Sequence, residues 1–458
     1  MTILKHEYII KIENVEFYRK GDCVIARDKY LDSLIKSRKN GFPKVITGIR
    51  RCGKSYLLKE IYKKYLIDNG VSDDDILMID LDDDRNSNLR DPIALGEFAR
   101  TWRSSKEETY IFLDEIQKVY TIINPMLTNG EHKLAGKEDK EVISFVDVVL
   151  GLSRETNTDL YVTGSNSKML SSDIVTEFRD KATNIALSPL SFEEFYNYVG
   201  GSKTDAVYEY MQYGGMPMAV LIDEDERKEY LKGLFKTTYF ADILEHNKLK
   251  KTDSLDELCN IISAGTGSLL NSEKIENTYK SVKKEKITRQ TIEKYISYFV
   301  DAFMIREAKR YDIKGRAEVG ALRKYYYADT GLSNARLNFA YPDEGQLLEN
   351  IVYNELIYNG YTVNVGAFDT IEKDKNGKSI RKNNEIDFIA VKGIRKYYIQ
   401  VTANIDDVKT RAREERPFLK LNDAIQKIIV VNKPVSASMD DNGLIIIGVS
   451  DFLLNYIK

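Results

Sequence analysis

The densest chemistry in the chain lies in Lys44-Val45-Ile46-Thr47-Gly48-Ile49-Arg50-Arg51-Cys52-Gly53-Lys54-Ser55, where a β-prone run feeds a loop ending in Lys-Ser. This is P-loop spacing. Gly48 and Gly53 let the backbone curl so that its N–H groups converge on phosphate oxygens. Lys54 reaches the β- and γ-phosphates, and the Ser55 hydroxyl ligates Mg²⁺. Arg51, Cys52 and Tyr56 complete the residues expected at the nucleotide. A second signal is Thr109-Tyr110-Ile111-Phe112-Leu113-Asp114-Glu115, an apolar strand ending in adjacent carboxylates. Such a strand is what a Walker B segment needs: Asp114 holds the hydration shell of Mg²⁺, and Glu115 polarises the attacking water as general base. ATP and Mg²⁺ are therefore the expected cofactors.

Several elements must position these groups. Tyr56, Leu57, Leu58, Ile61, Tyr62 and Leu66 recur at helical spacing, placing the loop on a helix N-terminus whose dipole favours anions. Upstream, 27–35 has a helical pattern. Downstream, Asp75 to Leu81 reads as a buried strand, and Asp82, Asp83 and Asp84 read as a solvated acidic loop without a chemical role. Residues 121–140 break into polar residues with Asn124-Pro125 and Asn129-Gly130, the pattern of a surface insertion. Helical spacing returns from Val142 to Leu150, and the strand Asp159 to Thr163 leads into Gly164-Ser165-Asn166-Ser167. A polar residue just after that strand either sits beside the γ-phosphate or belongs to an ordinary βα turn.

A chain of 458 residues divides into several domains, and 43% hydrophobic with 30% charged residues describes a well-packed globular protein. The net charge of −3 argues against overall attraction to nucleic acid and leaves only local basic patches for DNA. Three widely spaced cysteines suit a reducing compartment. No apolar run is long enough to span a bilayer, so a cytoplasmic protein without a membrane partner is expected.

The strings Val162-Thr163-Gly164-Ser165-Asn166-Ser167-Lys168-Met169-Leu170, Thr176-Glu177-Phe178-Arg179, Pro189-Leu190-Ser191-Phe192-Glu193-Glu194-Phe195, Tyr213-Gly214-Gly215-Met216-Pro217 and Lys324-Tyr325-Tyr326-Tyr327-Ala328-Asp329-Thr330-Gly331-Leu332 make the resemblance specific. The chain resembles the prokaryotic AAA-like P-loop ATPase family that carries a C-terminal DUF4143 domain. That resemblance implies a strand-end sensor at Ser165 or Asn166 and a phosphate-responsive arginine at Arg179. Relatives carry a second arginine where this chain has Lys181, and a lysine point charge cannot fork onto phosphate oxygens as guanidinium does.

The fold expected is α/β in three parts: an AAA-like P-loop ATPase domain over 1–200, a helical and winged-helix region over 201–335, and a C-terminal α/β domain over 336–458. In the second part, two helices near 254–263 and 271–279 and a third from Thr288 precede a strand at 303–312 and a basic turn, Lys314-Gly315-Arg316. Three helices and a ribbon make a winged helix, a unit that contacts DNA or docks protein. The third part is similar to the PD-(D/E)xK nuclease core, with Glu349, Asp387, Gln400 and Thr402 in the site positions. No lysine stands at the catalytic position, so a degenerate nuclease fold used for interaction is expected, with Gln400 or a lysine from elsewhere, such as Lys409, next in line should cleavage occur. The activity expected is ATP hydrolysis that switches interactions of the C-terminal regions with a protein partner. The alternative is an ATP-regulated DNA-binding protein or nuclease of defence or mobile-element type. The oligomeric state is left open.

Overall fold

The computed structural model describes the backbone of residues 9–12 and 15–18, together with 25–136, 138–164, 182–240, 243–244, 249, 253–283, 287–340, 343–373 and 378–458. Strands β1 (Ile9–Ile12) and β2 (Val15–Tyr18) form an antiparallel ribbon. The chain then divides into two compact units: residues 1–188 with 301–303, and 189–300 with 304–458.

The first unit is built on β3 (Lys44–Thr47), β4 (Ile76–Asp80), β5 (Thr109–Asp114), β8 (Thr158–Gly164) and β9 (Thr183–Ala186), arranged β4-β5-β8-β3-β9. All neighbours are parallel. Sheets of this kind are covered on both faces, which explains why β3 and β5 are apolar, wholly buried runs rather than alternating ones. The insertion contains a small hairpin, β6 (Ile122–Ile123) with β7 (Val142–Ile143), and Ile122 is buried. It is thus not wholly superficial as its composition suggested. At the N-terminal edge of the sheet, buried Lys44 pairs with Asp159, which also accepts from Tyr161 Oη at 2.7 Å and Lys39 N at 3.0 Å. These bonds satisfy a charge that burial alone would drive toward neutrality.

The second unit is organised by one nine-stranded mixed sheet made of β10 (Leu269–Leu270), β11 (Ile305–Asp312), β12 (Ala317–Tyr327), β13 (Thr362–Lys373), β14 (Ser379–Lys392), β15 (Arg395–Thr402), β16 (Gln426–Val431), β17 (Ser438–Met439) and β18 (Leu444–Gly448). Its order is β10-β12-β11-β13-β14-β15-β16-β18-β17. This corrects the expected domain division. The β11–β12 ribbon is no free wing, because β11 pairs in parallel with β13 at Arg310↔Val365 and carries the sheet straight across residue 335. Helix Phe192–Val199 clusters with this unit, where Phe192 N donates to the buried Glu355 carboxylate at 3.1 Å. Among the described residues no helix is long and apolar enough to cross a membrane.

Two of the recurrent strings prove to be one joint. Asp329 caps helix Thr330–Arg336 by accepting from Leu332 N at 3.3 Å, and it accepts from Gly215 N at 2.6 Å. Thr330 and Asn334 bond carbonyls of helix Lys203–Tyr213. Burial pushes Asp329 up to about 7, against the downward pull of the amides it accepts from. A Cβ at Gly331 would stand 2.0 Å from Tyr213 O, and one at Gly214 would stand 2.1 Å from Asp329 Oδ1. Gly331→Ala is therefore expected to destabilise this unit by about 3 kcal/mol or more, because backbone cannot yield as a side chain does. Urea denaturation followed by circular dichroism measures it, and an unchanged midpoint would contradict the joint.

Candidate functional site

The carboxyl ends of the first unit's parallel strands carry its polar groups, the place where open α/β sheets bind ligands. Three residues of the loop after β3 are in the left-handed region, Gly48 (φ 153°), Arg51 (φ 63°) and Gly53 (φ 100°). Gly48 is also sterically required: a Cβ would stand 2.1 Å from Leu187 O, whose residue continues from β9 and donates its own N–H to Thr47 O at 2.6 Å. The sheet's last strand thus presses the loop into shape. The helix that follows starts at Lys54, widens into a π-helical turn over Leu57–Tyr62 and ends at Asp68.

Lys54 is buried and donates to Gly48 O at 3.2 Å and Ile49 O at 3.3 Å, so its ammonium lies over the loop it must serve. Ser55 is buried one residue on, and Tyr56 is half-buried. The Cys52 side chain packs away from the loop's open face. Its thiol is held against Leu187 O at 3.6 Å, burial pushes its pKa up, and its N–H donates to Ile49 O at 3.2 Å. Arg50 reaches Asp82 at 3.8 Å, and Lys118 pairs with the same carboxylate at 2.7 Å. The acidic run after β4 therefore joins loops together rather than being merely solvated.

Asp114 and Glu115 end β5 as expected, both buried. Glu115 takes a left-handed backbone (φ 54°), an unfavourable conformation for a side chain with a Cβ, which turns its carboxylate away from the line of the strand. Its N–H donates to Thr163 Oγ1 at 3.1 Å, and Gln117 Nε2 donates to its carboxylate. The Thr163 hydroxyl in turn donates to Asp114, so one side chain on β8 orients both acidic residues. Lys59, on the P-loop helix, ion-pairs with Asp114 Oδ2 at 2.9 Å and Asp80 Oδ2 at 3.0 Å. Burial would lower the pKa of that ammonium, but Asp114 and then Asp80 outweigh it and raise the pKa above its ordinary value.

Thr163, Gln117 and Lys59 had no role in the sequence reading. Only Lys59 left a trace, four residues after Ser55 and so on the same helix face. Ser165, Asn166, Arg179 and Lys181 lie outside the described residues. A glycine cradle, an ammonium laid over it, and a hydroxyl and carboxylate at the same sheet edge fit a nucleotide triphosphate with a hard, oxygen-seeking cation.

The second unit holds a separate charged cluster. Glu349, on helix Glu344–Tyr358, and Asp387, on β14, are brought together around Lys324, which entered the sequence reading only as the first residue of a string and without a role. Lys324 of β12 points its ammonium to Glu349 Oε1 at 3.0 Å, Glu385 Oε1 at 3.0 Å and Asp387 Oδ1 at 3.7 Å. Tyr326 Oη donates to Glu349 at 2.6 Å, and Val401 N to Asp387 Oδ2 at 2.9 Å. Burial and the neighbouring Glu349 push Asp387 well above the usual carboxylate range, while Lys324 pulls it back only in part. Gln400 contributes only an acceptor to Asp387 N at 3.4 Å, and the Thr402 hydroxyl turns to Asn404 O. The cation in this cluster stands on a strand some sixty residues upstream of Asp387, and Lys409 is exposed. Among the described residues no group of three or more His, Cys, Asp or Glu is arranged to hold a metal ion.

Comparison with known proteins bears on the first unit. The family model described as an AAA domain matches residues 40–196. Residues 204–343 match a domain of unknown function, DUF8612, in place of the DUF4143 domain expected after the ATPase. Similar solved structures include the Walker-type ATPase PABY2304 of Pyrococcus abyssi (14% identity, 70% of this chain and 97% of that one, TM-score 0.45). Another is the ORC2 protein of Aeropyrum pernix in its ADPNP-ADP complexes (9% identity, 72% and 92%, TM-score 0.35). An uncharacterized protein of Methanocaldococcus jannaschii is 28% identical over 94% of this chain and 89% of its own length. An uncharacterized protein of Haemophilus influenzae is 32% identical over 94% of this chain and 99% of its own length. The chain, with its AAA domain at 40–196, belongs to the same family as that Haemophilus protein.

Proposed function

We propose that the protein is a cytoplasmic ATP-driven switch, in which the first unit binds and hydrolyses ATP with Mg²⁺ and the nucleotide state changes what the second unit binds. The observation that carries this reading is the convergence of Lys54, Ser55, Asp114 and Glu115 at the carboxyl edge of one parallel sheet. Backbone amides from Gly48 to Gly53 and the Lys54 ammonium take the phosphates, with Arg51 and Tyr56 at the rim. Ser55 and Asp114 hold the metal's oxygen shell, which supplies charge neutralisation at the transferring phosphoryl group. Glu115 orients and deprotonates the attacking water, and its carboxylate is aimed by the Gln117 amide. Asn166 as sensor and Arg179 as the phosphate-responsive cation complete the assignment, with Lys181 the weaker alternative to a second arginine.

The partner is proposed to be a protein rather than DNA. The basic turn that DNA would use is committed in part, since Lys314 Nζ donates to Asp369 O at 3.1 Å and lies over the Phe368 ring at 5.3 Å. The Lys324 cluster is assigned a structural part: one ammonium serves three carboxyl groups from two other elements, so it ties β12 to β14 and to helix Glu344–Tyr358.

Lys54→Ala removes a charge-assisted contact worth about 1.5–3 kcal/mol, so ATP affinity falls roughly ten- to a hundred-fold. Titration calorimetry checks it, and undiminished affinity would sink the assignment. Glu115→Gln keeps the shape but cannot take a proton, so binding persists while turnover drops about a hundred- to ten-thousand-fold. Single-turnover hydrolysis measures this, and wild-type rates would place the base elsewhere. Lys324→Met leaves three carboxyl groups without their cation and is expected to cost about 3–5 kcal/mol at neutral pH. The folded variant holds more protons than its unfolded chain, so its deficit against wild type widens as pH rises from about 4 to 7 and shrinks on acidification. Denaturation across that range tests the sign.

A further inference from the structure

We propose that Lys59 is the resident counter-ion of Asp114, and that a divalent cation enters only with nucleotide, by taking the place of Lys59 on Asp114 while the lysine withdraws onto Asp80. The inference rests on the ATP and Mg²⁺ reading above and concerns how the metal is admitted. Three observations support it.

The first is position. Lys59 follows Ser55 by four residues, which places both on one helix face, and helical side chains lean toward the N-terminus, so the lysine runs back toward the turn that bears Ser55. Its ammonium, 2.9 Å from Asp114 Oδ2, therefore reaches Asp114 from the helix that also bears the Ser55 hydroxyl. A dication bound between Ser55 and Asp114 and an ammonium on the same carboxylate oxygen would repel at contact distance.

The second is that an alternative seat is built in. Asp80 and Asp114 are register partners on the adjacent parallel strands β4 and β5, and Lys59 lies 3.0 Å from Asp80 Oδ2. A small rotation of the lysine stem moves it wholly to Asp80 without leaving the half-buried ammonium unpaired. Withdrawal onto Asp80 keeps both carboxylates matched by a cation, which removal of the lysine would not.

The third is the backbone. Lys59 lies within the π-helical stretch Leu57–Tyr62, a wide turn of a kind that recurs at functional sites. The consequence is an order of events: cation alone meets a carboxylate already neutralised, and only the oxygens of a bound triphosphate add enough ligands to displace the lysine.

The test uses the full chain and Mn²⁺ as probe, with free Mn²⁺ read by electron paramagnetic resonance. Without nucleotide, wild type is expected to bind Mn²⁺ weakly, whereas Lys59→Met binds it at least about tenfold tighter, and Lys59→Met/Asp114→Ala loses the gain. Asp80→Asn, which strands Lys59 on Asp114, is expected to weaken Mn²⁺ binding in the presence of ATP while leaving ATP affinity in EDTA unchanged. Equal Mn²⁺ affinity in wild type and Lys59→Met would overturn the proposal. So would a gain that survives loss of Asp114. If Lys59→Met does not fold, Asp80→Asn decides alone: unaltered Mn²⁺ binding with ATP overturns the proposal. Failure of wild type to bind ATP in EDTA or with Mn²⁺ would count instead against the P-loop reading, so the two failures are distinguishable.

Discussion

The first unit depends on the parallel seating of β5 between β4 and β8. That register puts Asp80 directly beside Asp114 and brings Thr163 within hydrogen-bonding reach of both Asp114 and the Glu115 amide. Two carboxylates on neighbouring strands would repel at the edge of a dry sheet, so the arrangement needs a cation, which the P-loop helix supplies through Lys59. The same helix starts with the phosphate-facing lysine and hydroxyl. Phosphate recognition, metal ligation and carboxylate neutralisation are therefore coupled through one rigid element, and displacing any of them acts on the others.

The loop itself is shaped from outside. Leu187, just past β9, presses against Gly48, and Cys52 packs its thiol on the same carbonyl. A P-loop is often described by its two glycines alone; here Gly48 is demanded by conformation and close approach together, and Gly53 has a left-handed backbone. Arg51, left-handed and bearing a Cβ, shows that the loop holds strain that its packing must offset.

In the second unit, a sheet of nine strands gains its continuity from one parallel pairing, β11 with β13, and its interior charge balance from Lys324. Buried ion pairs contribute little net stability, since desolvation cancels most of the attraction, but mispairing them is costly. A lysine on β12 that must meet carboxylates on β14 and on helix Glu344–Tyr358 consequently specifies how the hairpin and the rest of the sheet come together. Asn350 acts in the same sense: wholly buried, it exchanges two hydrogen bonds with the Tyr327 backbone, at 3.0 and 2.8 Å. Stacking of Tyr326 on Tyr353, with centroids 4.2 Å apart, fills the space between them.

Local chemistry was legible in the sequence wherever it is contiguous. The strand Lys44–Thr47, the loop to Ser55, the helix behind it and the apolar strand ending in Asp114 and Glu115 all follow from spacing and periodicity, because each is specified by neighbours along the chain. The joint between Gly214 and Asp329 was visible only as two separate strings, and their meeting is a fact of packing. What tertiary structure alone decided is which charges meet. Lys59 with Asp114, Thr163 with Asp114, and Lys324 with Glu349 and Asp387 join residues dozens of positions apart, through strand orders that periodicity cannot reveal. The continuity of the sheet across residue 335 was hidden for the same reason: a hairpin and a later strand carry no local mark that they share one sheet, because hydrogen bonding between strands leaves no signature in either strand's own sequence.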